Sequence, residues 1–266
     1  MLLNKNTREQ LNDLFYIIRL QDRYGNASLD KKVKIEQVLA FLEIMHADIK
    51  KISKKKKLVF IDSAAGNCYL SFLIYFFYQK IDERDIEIHC VDINERLMAE
   101  NRELAKRMNF DRMHFHANDI SQFTFDGNVD AVYSLHACDT ATDKTMHLAI
   151  RNNARFIFSV ACCQHSITMR SKTFKSVIRH KAFRDKTIMM ISDSLRAMLL
   201  ELMGFKVSIF DFVSSRFTEK NTMLRATRTD FRKTFDIADE YKKVSEEFKM
   251  KPYLEELLKE ELQWVE

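Results

Sequence analysis

Carboxylates stand at the ends of two apolar segments in the first half of the chain. Asp62 ends the apolar run 58–62, and Asp92 ends the run 86–92. A turn of small residues, 63–67, follows the first run. A carboxylate that ends the second strand of a βαβ unit can accept hydrogen bonds from both hydroxyls of a ribose. The spacing therefore predicts a site for a nucleoside-like ligand, and an ordinary βαβ crossover with polar strand ends is the structural alternative.

The turn has the sequence Ser63-Ala64-Ala65-Gly66-Asn67 and contains a single glycine. A dinucleotide-binding turn uses three glycines, and a P-loop requires Gly-Lys-Ser/Thr, so neither phosphate-binding motif is present. A nucleoside ligand without phosphates fits better, and S-adenosylmethionine is such a ligand. The predicted cofactor-binding residues are Asp62, Ser63, Ala64, Gly66, Asn67, Asp92, Ile93, Asn118, Asp119, Leu135 and His136.

Each carboxylate in this set has an expected role. Asp62 and the turn would bind the methionine end of the ligand, and Asp92 would accept the ribose hydroxyls. Asp119, supported by Asn118, would accept a hydrogen bond from the adenine amine. A helix N-cap is the structural alternative for Asp119. Together the carboxylates would create a negative field that favours a sulfonium cation.

Cysteine and histidine are concentrated at the ends of the fourth and fifth predicted strands, in LHACD (135–139) and ACCQH (161–165). Cysteine and histidine are zinc ligands, although short-spaced cysteine pairs are missing here. Alternatively, Cys138 or Cys162 as thiolate could attack a pyrimidine ring. We favour a third interpretation, in which the cluster lines the acceptor pocket and His165 is the general base. Small buried cysteines without chemistry are the structural alternative. The predicted catalytic residues are thus His165, Cys138 and Cys162, and no metal site is predicted.

Alternating strand and helix patterns place these residues on an α/β fold. The pattern predicts a parallel sheet covered on both faces, followed by two strands without an intervening helix, within 205–213 and 222–227. It also predicts a helical N-terminal subdomain over 1–52, a ligand-binding domain over 53–230 and an acidic helical segment over 231–266. The predicted parallel strands are 58–62, 86–92, 112–116, 129–135 and 154–160, and the predicted helices of the sheet are 68–80, 94–108, 141–151 and 188–203.

The core from about 33 to 227 resembles the class I S-adenosylmethionine-dependent methyltransferases. More narrowly, it resembles a subgroup whose fourth strand ends in Leu-His-Ala-Cys-Asp/Gly and whose fifth ends in Cys-Cys-x-His. The segment FTEKNTMLRA (217–226) is similar to a later segment of that subgroup. The resemblance implies a Rossmann-like, seven-stranded, mostly parallel sheet of order 3-2-1-4-5-7-6, methyl transfer, and an acceptor that is sometimes suspected to be RNA. The chain departs from the pattern in its glycine-poor turn and at Ala161, where a proline is usual.

Charge is distributed unevenly along the chain and favours an anionic macromolecular acceptor. The net charges are +6 over 1–57, −5 over 58–167, +9 over 168–234 and −5 over 235–266. The segment 168–187 mixes seven Lys or Arg residues with Phe174 and Phe183, which suits phosphate contact and base stacking. The alternative is an amphipathic helix whose phenylalanines pack inward. Lys220 and Asn221 are expected to border the acceptor pocket.

These observations predict RNA as the acceptor and leave three other functions open. They are an RNA-binding module that has lost turnover, a small-molecule methyltransferase and a protein methyltransferase. The Asn/Asp-Pro-Pro-Tyr/Phe motif of exocyclic-amine methylation is absent after the fourth strand. The single glycine of the turn disfavours a NAD-dependent oxidoreductase.

Composition indicates a protein of the cytoplasm. The chain has 266 residues, of which 46% are hydrophobic, and its apolar runs are much shorter than the ~20 residues that span a bilayer. The segment MLLNKNTREQ lacks the apolar core of a signal peptide. Five cysteines, two of them adjacent, do not suggest a disulfide framework. We therefore expect reduced thiols, a cytoplasmic location and no membrane partner.

Overall fold

Seven strands form one mixed sheet in the computed structural model, which describes residues 5–214, 221–229 and 235–262. The strand order is β3-β2-β1-β4-β5-β7-β6, as predicted. β2 pairs in parallel with β1 and β3, β4 pairs in parallel with β5, and β7 is antiparallel to β5. The strands are β1 Leu58–Ser63, β2 Ile86–Asp92, β3 Met113–Ala117, β4 Ala131–Ala137, β5 Phe156–Ala161, β6 Phe205–Asp211 and β7 Thr222–Arg228.

Helices connect most of these strands. The predicted 68–80 helix is α-helical over Tyr69–Phe76 and continues as a π-helical turn over Phe77–Ile81. The predicted 188–203 helix begins seven residues earlier, because the basic residues before it form its exposed first two turns. The helices are α1 Lys5–Ile17, α2 Leu29–Ile49, α3 Tyr69–Phe76, α4 Glu95–Arg107, α5 Thr140–Arg151, α6 Lys175–Ile178, α7 Lys181–Leu202, α8 Phe235–Phe248 and α9 Tyr253–Leu257.

The fourth and fifth strands each begin two residues later than predicted. β4 therefore includes Leu135, His136 and Ala137, and β5 extends to Ala161. The strand β3 is shifted by one residue in the same direction. Val129 and Ala154 precede β4 and β5 and resemble strand residues in the sequence, which explains the earlier start predicted for these two strands.

The chain divides into two compact units, here called unit 1 and unit 2. Unit 1 comprises the residues up to Asp119 together with Asp211–Asn221. Its core contains β1, β2, β3, α3 and α4, and α2 packs against α3. The apolar stripe of α2 is buried, and the Phe41 ring meets the edge of Phe212 at a centroid distance of 6.2 Å. The N-terminal helices thus belong to the same unit as the first three strands.

Unit 2 comprises Ile120–Phe210 and the residues from Thr222 onward. It contains β4, β5 and β7 with α5, α7, α8 and α9, and α7 packs against α8. Bilayer crossing requires a long apolar helix, and none of the helices within the described ranges 5–214, 221–229 and 235–262 meets that requirement.

Candidate functional site

The small-residue turn of unit 1, together with the residue that follows it, has three residues in left-handed backbone conformations. Ala64 has φ of 60°, Gly66 of 52° and Cys68 of 54°. Such conformations cost a residue with a Cβ roughly 1–2 kcal/mol, and surrounding contacts must compensate. A Cβ added to Gly66 would meet no atom within 4 Å. The space beside Gly66 is therefore open, as binding of a ligand against the turn requires.

The Asp92 carboxylate lies at the end of β2 and is fixed by two backbone amides. Its Oδ2 accepts a hydrogen bond from Gly66 N–H at 2.8 Å, and its Oδ1 accepts one from Asn94 N–H at 2.9 Å. The backbone oxygen of Asp92 accepts a bond from Asn118 N–H at 3.1 Å. Each carboxylate oxygen retains acceptor capacity beyond one such bond. The structure thus brings together three of the predicted site residues, Gly66, Asp92 and Asn118.

Asp62, the predicted ligand-binding carboxylate at the end of β1, is only 3% exposed. Its Oδ2 accepts a hydrogen bond from the Ser71 hydroxyl at 2.5 Å. Burial raises the pKa of the Asp62 carboxyl to about 7; the Ser71 hydroxyl opposes this shift, and the negative charge of Asp92 adds to it. A ligand cation beside Asp62 would favour its charged form. Asp62 and the turn therefore fit an ammonium-bearing ligand.

Asn101 of α4 holds the turn from the other side and was missed by the sequence reasoning. Its side-chain amide donates to the backbone oxygen of Gly66 at 3.0 Å and approaches Cys68 Sγ at 3.3 Å. The residue is buried. It lies in an amphipathic helix pattern with no local motif, so only the folded arrangement identifies its role.

The remaining predicted residues of unit 1 differ in exposure. Ile93 is 77% exposed and offers an apolar surface directly after Asp92. Asn67 is exposed, Ser63 is buried in β1, and Asp119 is half-buried. Residues 120–130, all of them described, contain no helix, so the N-cap alternative for Asp119 is wrong.

In unit 2, the polar ends of β4 and β5 are joined by hydrogen bonds. The Asp139 carboxylate accepts bonds from Ser166 N–H at 3.0 and 2.9 Å and from the Ser166 hydroxyl at 2.6 Å. Asp139 N–H donates to the Cys163 oxygen at 3.1 Å. His136 and Asp139 both have positive φ, at 69° and 56°. The strand end thus carries backbone strain that the neighbouring loop stabilises.

Three thiols converge at these strand ends. The Sγ atoms of Cys138, Cys162 and Cys163 all lie within 4.8 Å of one another, and the Cys162 and Cys163 sulfurs are 3.7 Å apart. Cys138 is exposed, whereas the other two are half-buried. His165 has an exposed side chain, and Leu135 and His136 are half-buried within β4. The structure therefore joins the predicted Cys138 and Cys162 with Cys163, which was not among the predicted catalytic residues.

A buried arginine, Arg196 of α7, supports both loops and was also missed. Its guanidinium makes a bidentate pair with Asp143, at 2.9 and 2.6 Å, and contacts Asp193 at 3.1 Å. The same group donates to the Asp139 backbone oxygen at 3.4 Å and to Gln164 Oε1 at 3.1 Å. Because Arg196 is 0% exposed, it is a structural anchor that fixes the loops carrying the thiols.

The basic segment 168–187 lies on the surface of unit 2. All seven of its Lys and Arg residues are exposed. Phe183 is 59% exposed, and Phe174 is exposed while stacking on Phe248 at 5.3 Å. The inward packing of both rings, considered as an alternative, is therefore wrong for Phe183. Lys220 lies outside the described residues, whereas Asn221 is buried and donates to the Val213 oxygen at 2.9 Å.

Sequence comparison identifies one family. A family model described as a methyltransferase domain matches residues 31–170, which is more than half of the chain. A search of curated protein sequences gave no match.

Several solved structures are similar to this chain. Magnesium protoporphyrin IX methyltransferase from Synechocystis PCC 6803, with bound SAH, has 15% identity, covers 84% of this chain and 98% of its own, and has a TM-score of 0.49. A putative S-adenosyl-L-methionine-dependent methyltransferase from Methanococcus maripaludis has 11% identity, covers 86% of this chain and 94% of its own, and has a TM-score of 0.47. Geranyl diphosphate methyltransferase in complex with SAM has 11% identity, covers 71% of this chain and 85% of its own, and has a TM-score of 0.48.

Proposed function

The chain belongs to the family of methyltransferase domains, and from that premise we propose that it methylates RNA with S-adenosylmethionine as the methyl donor. The enzyme class, an S-adenosylmethionine-dependent methyltransferase, follows from the family. The RNA acceptor is our inference. The observation that carries the donor assignment is the Asp92 carboxylate, which ends β2 and is tied to Gly66 of the strained turn.

The residues of unit 1 fit this donor. The Asp92 carboxylate would accept the ribose hydroxyls, and Asp62 with the turn would hold the methionine end. The exposed face of Ile93 would lie against the adenine. The Asp119 carboxylate, supported by Asn118, would accept a hydrogen bond from the adenine amine. When bound, the donor supplies an electrophilic methyl group on a sulfonium, and the surrounding carboxylates favour that positive charge.

The polar strand ends of unit 2 are proposed to contact the acceptor. Leu135 and His136, within β4, are proposed to contact the donor. The exposed His165 can take a proton from the acceptor as general base. Cys138 and Cys162 line the acceptor pocket in this proposal. A thiolate that attacks a pyrimidine ring remains the alternative role for these two cysteines.

RNA is favoured as acceptor by the exposed basic segment. Its cations can contact phosphates, and the exposed ring of Phe183 can stack on a base. The five cysteines, all of them among the described residues, form no disulfide, which fits the proposed cytoplasmic location.

The donor assignment is tested by isothermal titration of S-adenosylhomocysteine into the wild type and Asp92→Ala. We expect the affinity to fall about 10- to 100-fold, because two charge-assisted hydrogen bonds to the ribose are lost. Glu103→Ala, which removes an exposed carboxylate of α4, is the matched control and should retain affinity. If folded wild type does not bind the ligand, or if Asp92→Ala binds equally well, the assignment is wrong.

The acceptor is tested by incubating the protein with labelled S-adenosylmethionine and separate fractions of total RNA, protein and metabolites. The proposal expects label in RNA, and less of it after Phe183→Ala. Salt-sensitive RNA binding that ignores the donor, without label transfer, would instead identify an RNA-binding module. Unchanged rates in both Cys138→Ala and Cys162→Ala would eliminate thiolate attack.

A cavity in unit 2 favours a second candidate, a small-molecule acceptor. The cavity has a volume of about 800 Å³ and is lined by residues that include Thr140, Ser166 and Tyr241. Pockets of this size accommodate small ligands, and Thr140 and Ser166 adjoin the strand-end loops. Label in the metabolite fraction, together with loss of that label in Tyr241→Ala, would support this candidate over RNA.

A further inference from the structure

A second group of polar side chains lies in unit 1, on the β2 and β3 strands, outside the residues assigned to methyl transfer. Glu87 and His89 are two residues apart on β2, and His114 and His116 are two residues apart on β3. Side chains two apart in a strand point to the same face. His89 and His114 are direct cross-strand partners. The pairing therefore places three imidazoles and one carboxylate on a single face of the sheet.

The atoms of this cluster converge on one point. Glu87 Oε1 lies 3.2 Å from His89 Nε2 and 3.2 Å from His114 Nε2. These three ligand atoms are all within 4.8 Å of one another. Two atoms bound at about 2.1 Å to a tetrahedral zinc ion lie about 3.4 Å apart. The Glu87 contacts thus match the edges of a coordination tetrahedron, and they are longer than the 2.7–2.9 Å that is usual for a charge-assisted hydrogen bond.

The neighbours of the cluster have the arrangement that supports a metal site. His89 Nδ1 lies 3.1 Å from His116 Nε2, so His116 can accept the second ring proton of His89 and fix its tautomer. Lys57 Nζ contacts the other oxygen of Glu87 at 2.6 Å and leaves Oε1 to face the two histidines.

One side of the cluster is open to solvent. The His114 side chain is 42% exposed, whereas those of His89 and Glu87 are 10% and 19% exposed. An ion can therefore enter from the His114 side, and a water molecule can complete its coordination. Two histidines and one carboxylate with an open position suit zinc and related divalent transition ions.

We propose that Glu87, His89 and His114 bind one divalent transition-metal ion, with His116 as the residue that orients His89. This site is independent of the donor and acceptor residues. It requires neither methyl transfer nor RNA binding.

The test is a titration of Co²⁺ into chelator-treated, full-length protein, followed by optical spectroscopy and by competition with Zn²⁺. We expect one equivalent to bind with the visible absorption of four-coordinate Co²⁺ and without the thiolate-to-metal band that a cysteine site gives. Glu87→Gln and His114→Ala should each weaken binding about 100-fold or more, and His116→Ala about 10-fold. His147→Ala, which removes a half-buried histidine of α5, is the control and should bind like the wild type.

Thermal melting without metal checks the fold of each variant, and Glu87→Gln keeps the side-chain shape if His114→Ala does not fold. Three results would overturn the proposal: no saturable binding, equal affinity in His114→Ala and His147→Ala, or a thiolate band on the first equivalent. The last result would place the ion on Cys138, Cys162 and Cys163 instead.

Discussion

The turn of unit 1 and the strand-end loops of unit 2 are held in place by different interactions. The turn depends on single hydrogen bonds between side chains and its backbone: Gly66 donates through its N–H to the Asp92 carboxylate and accepts through its oxygen from the Asn101 amide. The loops of unit 2 depend on a fully buried ion network, in which Arg196 pairs with Asp143 and reaches the backbone of Asp139. Both regions contain residues with positive φ.

This difference has a consequence for sensitivity to mutation. A buried ion pair contributes little relative to apolar packing, but loss of one partner leaves an unpaired charge in the interior. Where a turn is held by single hydrogen bonds, removal of each bond lowers stability by about 1 kcal/mol. We therefore expect global destabilisation from changes in the unit 2 network, and local, ligand-linked effects from changes around the unit 1 turn.

The largest effect is expected from Arg196→Met. The substitution leaves the Asp143 and Asp193 carboxylates buried without their cation, and the free energy of unfolding should fall by about 3–5 kcal/mol. Urea denaturation measures this change. Arg179→Met, at an exposed position before α7, is the control and should change stability by less than about 0.5 kcal/mol.

A companion variant separates lost charge pairing from lost packing. Adding Asp143→Leu and Asp193→Leu to Arg196→Met removes the stranded charges and should recover much of the stability. An Arg196→Met protein as stable as the wild type would show that the network is not the anchor of the unit 2 loops.

The next effect concerns the pH dependence of stability in unit 1. Because burial raises the pKa of Asp62 to about 7, the folded protein binds this proton more tightly than the unfolded chain does. The contribution of Asp62 to stability is therefore fully present below about pH 4 and is lost as the pH rises to about 7. The loss is at most about 4 kcal/mol, since each pKa unit corresponds to about 1.4 kcal/mol.

Asp62→Asn should remove this dependence. The variant should match the wild type near pH 4 and exceed its free energy of unfolding by up to about 4 kcal/mol at pH 8, as measured by urea denaturation across that range. Asp126→Asn, the same chemical change at an exposed position, is the control. A constant difference between Asp62→Asn and the wild type would contradict the raised pKa.

Asn101→Ala should have a smaller effect that is specific to the ligand. Loss of the bond to the Gly66 oxygen should weaken binding of S-adenosylhomocysteine about fivefold and lower stability by about 1–2 kcal/mol. Asn152→Ala removes a similar side-chain bond, to the Leu148 oxygen in unit 2 at 2.8 Å. That variant should lose stability without losing affinity, so equal affinities in the two variants would show that Asn101 has no role in holding the turn for a ligand.

The same contrast explains how far the sequence could predict the molecule. The resemblance to the class I methyltransferases predicted the strand order, which the structure confirms. Gly66 and Asp92 could be assigned to one ligand site from the sequence, because a βαβ unit keeps them within a short stretch of chain, whereas the hydrogen bond between them is visible only in the fold. Arg196 and Asp143 are 53 residues apart, and an arginine in a helical pattern is normally expected to be exposed to solvent. The sequence therefore did not indicate this ion pair. The side-chain contact between Glu87 and His114 depends on the register between β2 and β3. The sequence pattern does not specify that register to within one residue.

The smallest predicted effect tests the glycine-poor turn itself. Ala64 has φ of 60°, which costs an L-residue with a Cβ roughly 1–2 kcal/mol, whereas glycine adopts this conformation freely and loses about 0.5–1 kcal/mol through backbone entropy. Ala64→Gly should therefore raise the free energy of unfolding by about 0.5–1 kcal/mol. Ala65, the next residue, has no positive φ and so no such strain. Ala65→Gly should therefore lower the free energy of unfolding by a similar amount. If Ala64→Gly also lowers stability, contacts of the Ala64 methyl group outweigh the strain, and the turn is better suited to alanine than to the glycine that such turns usually carry.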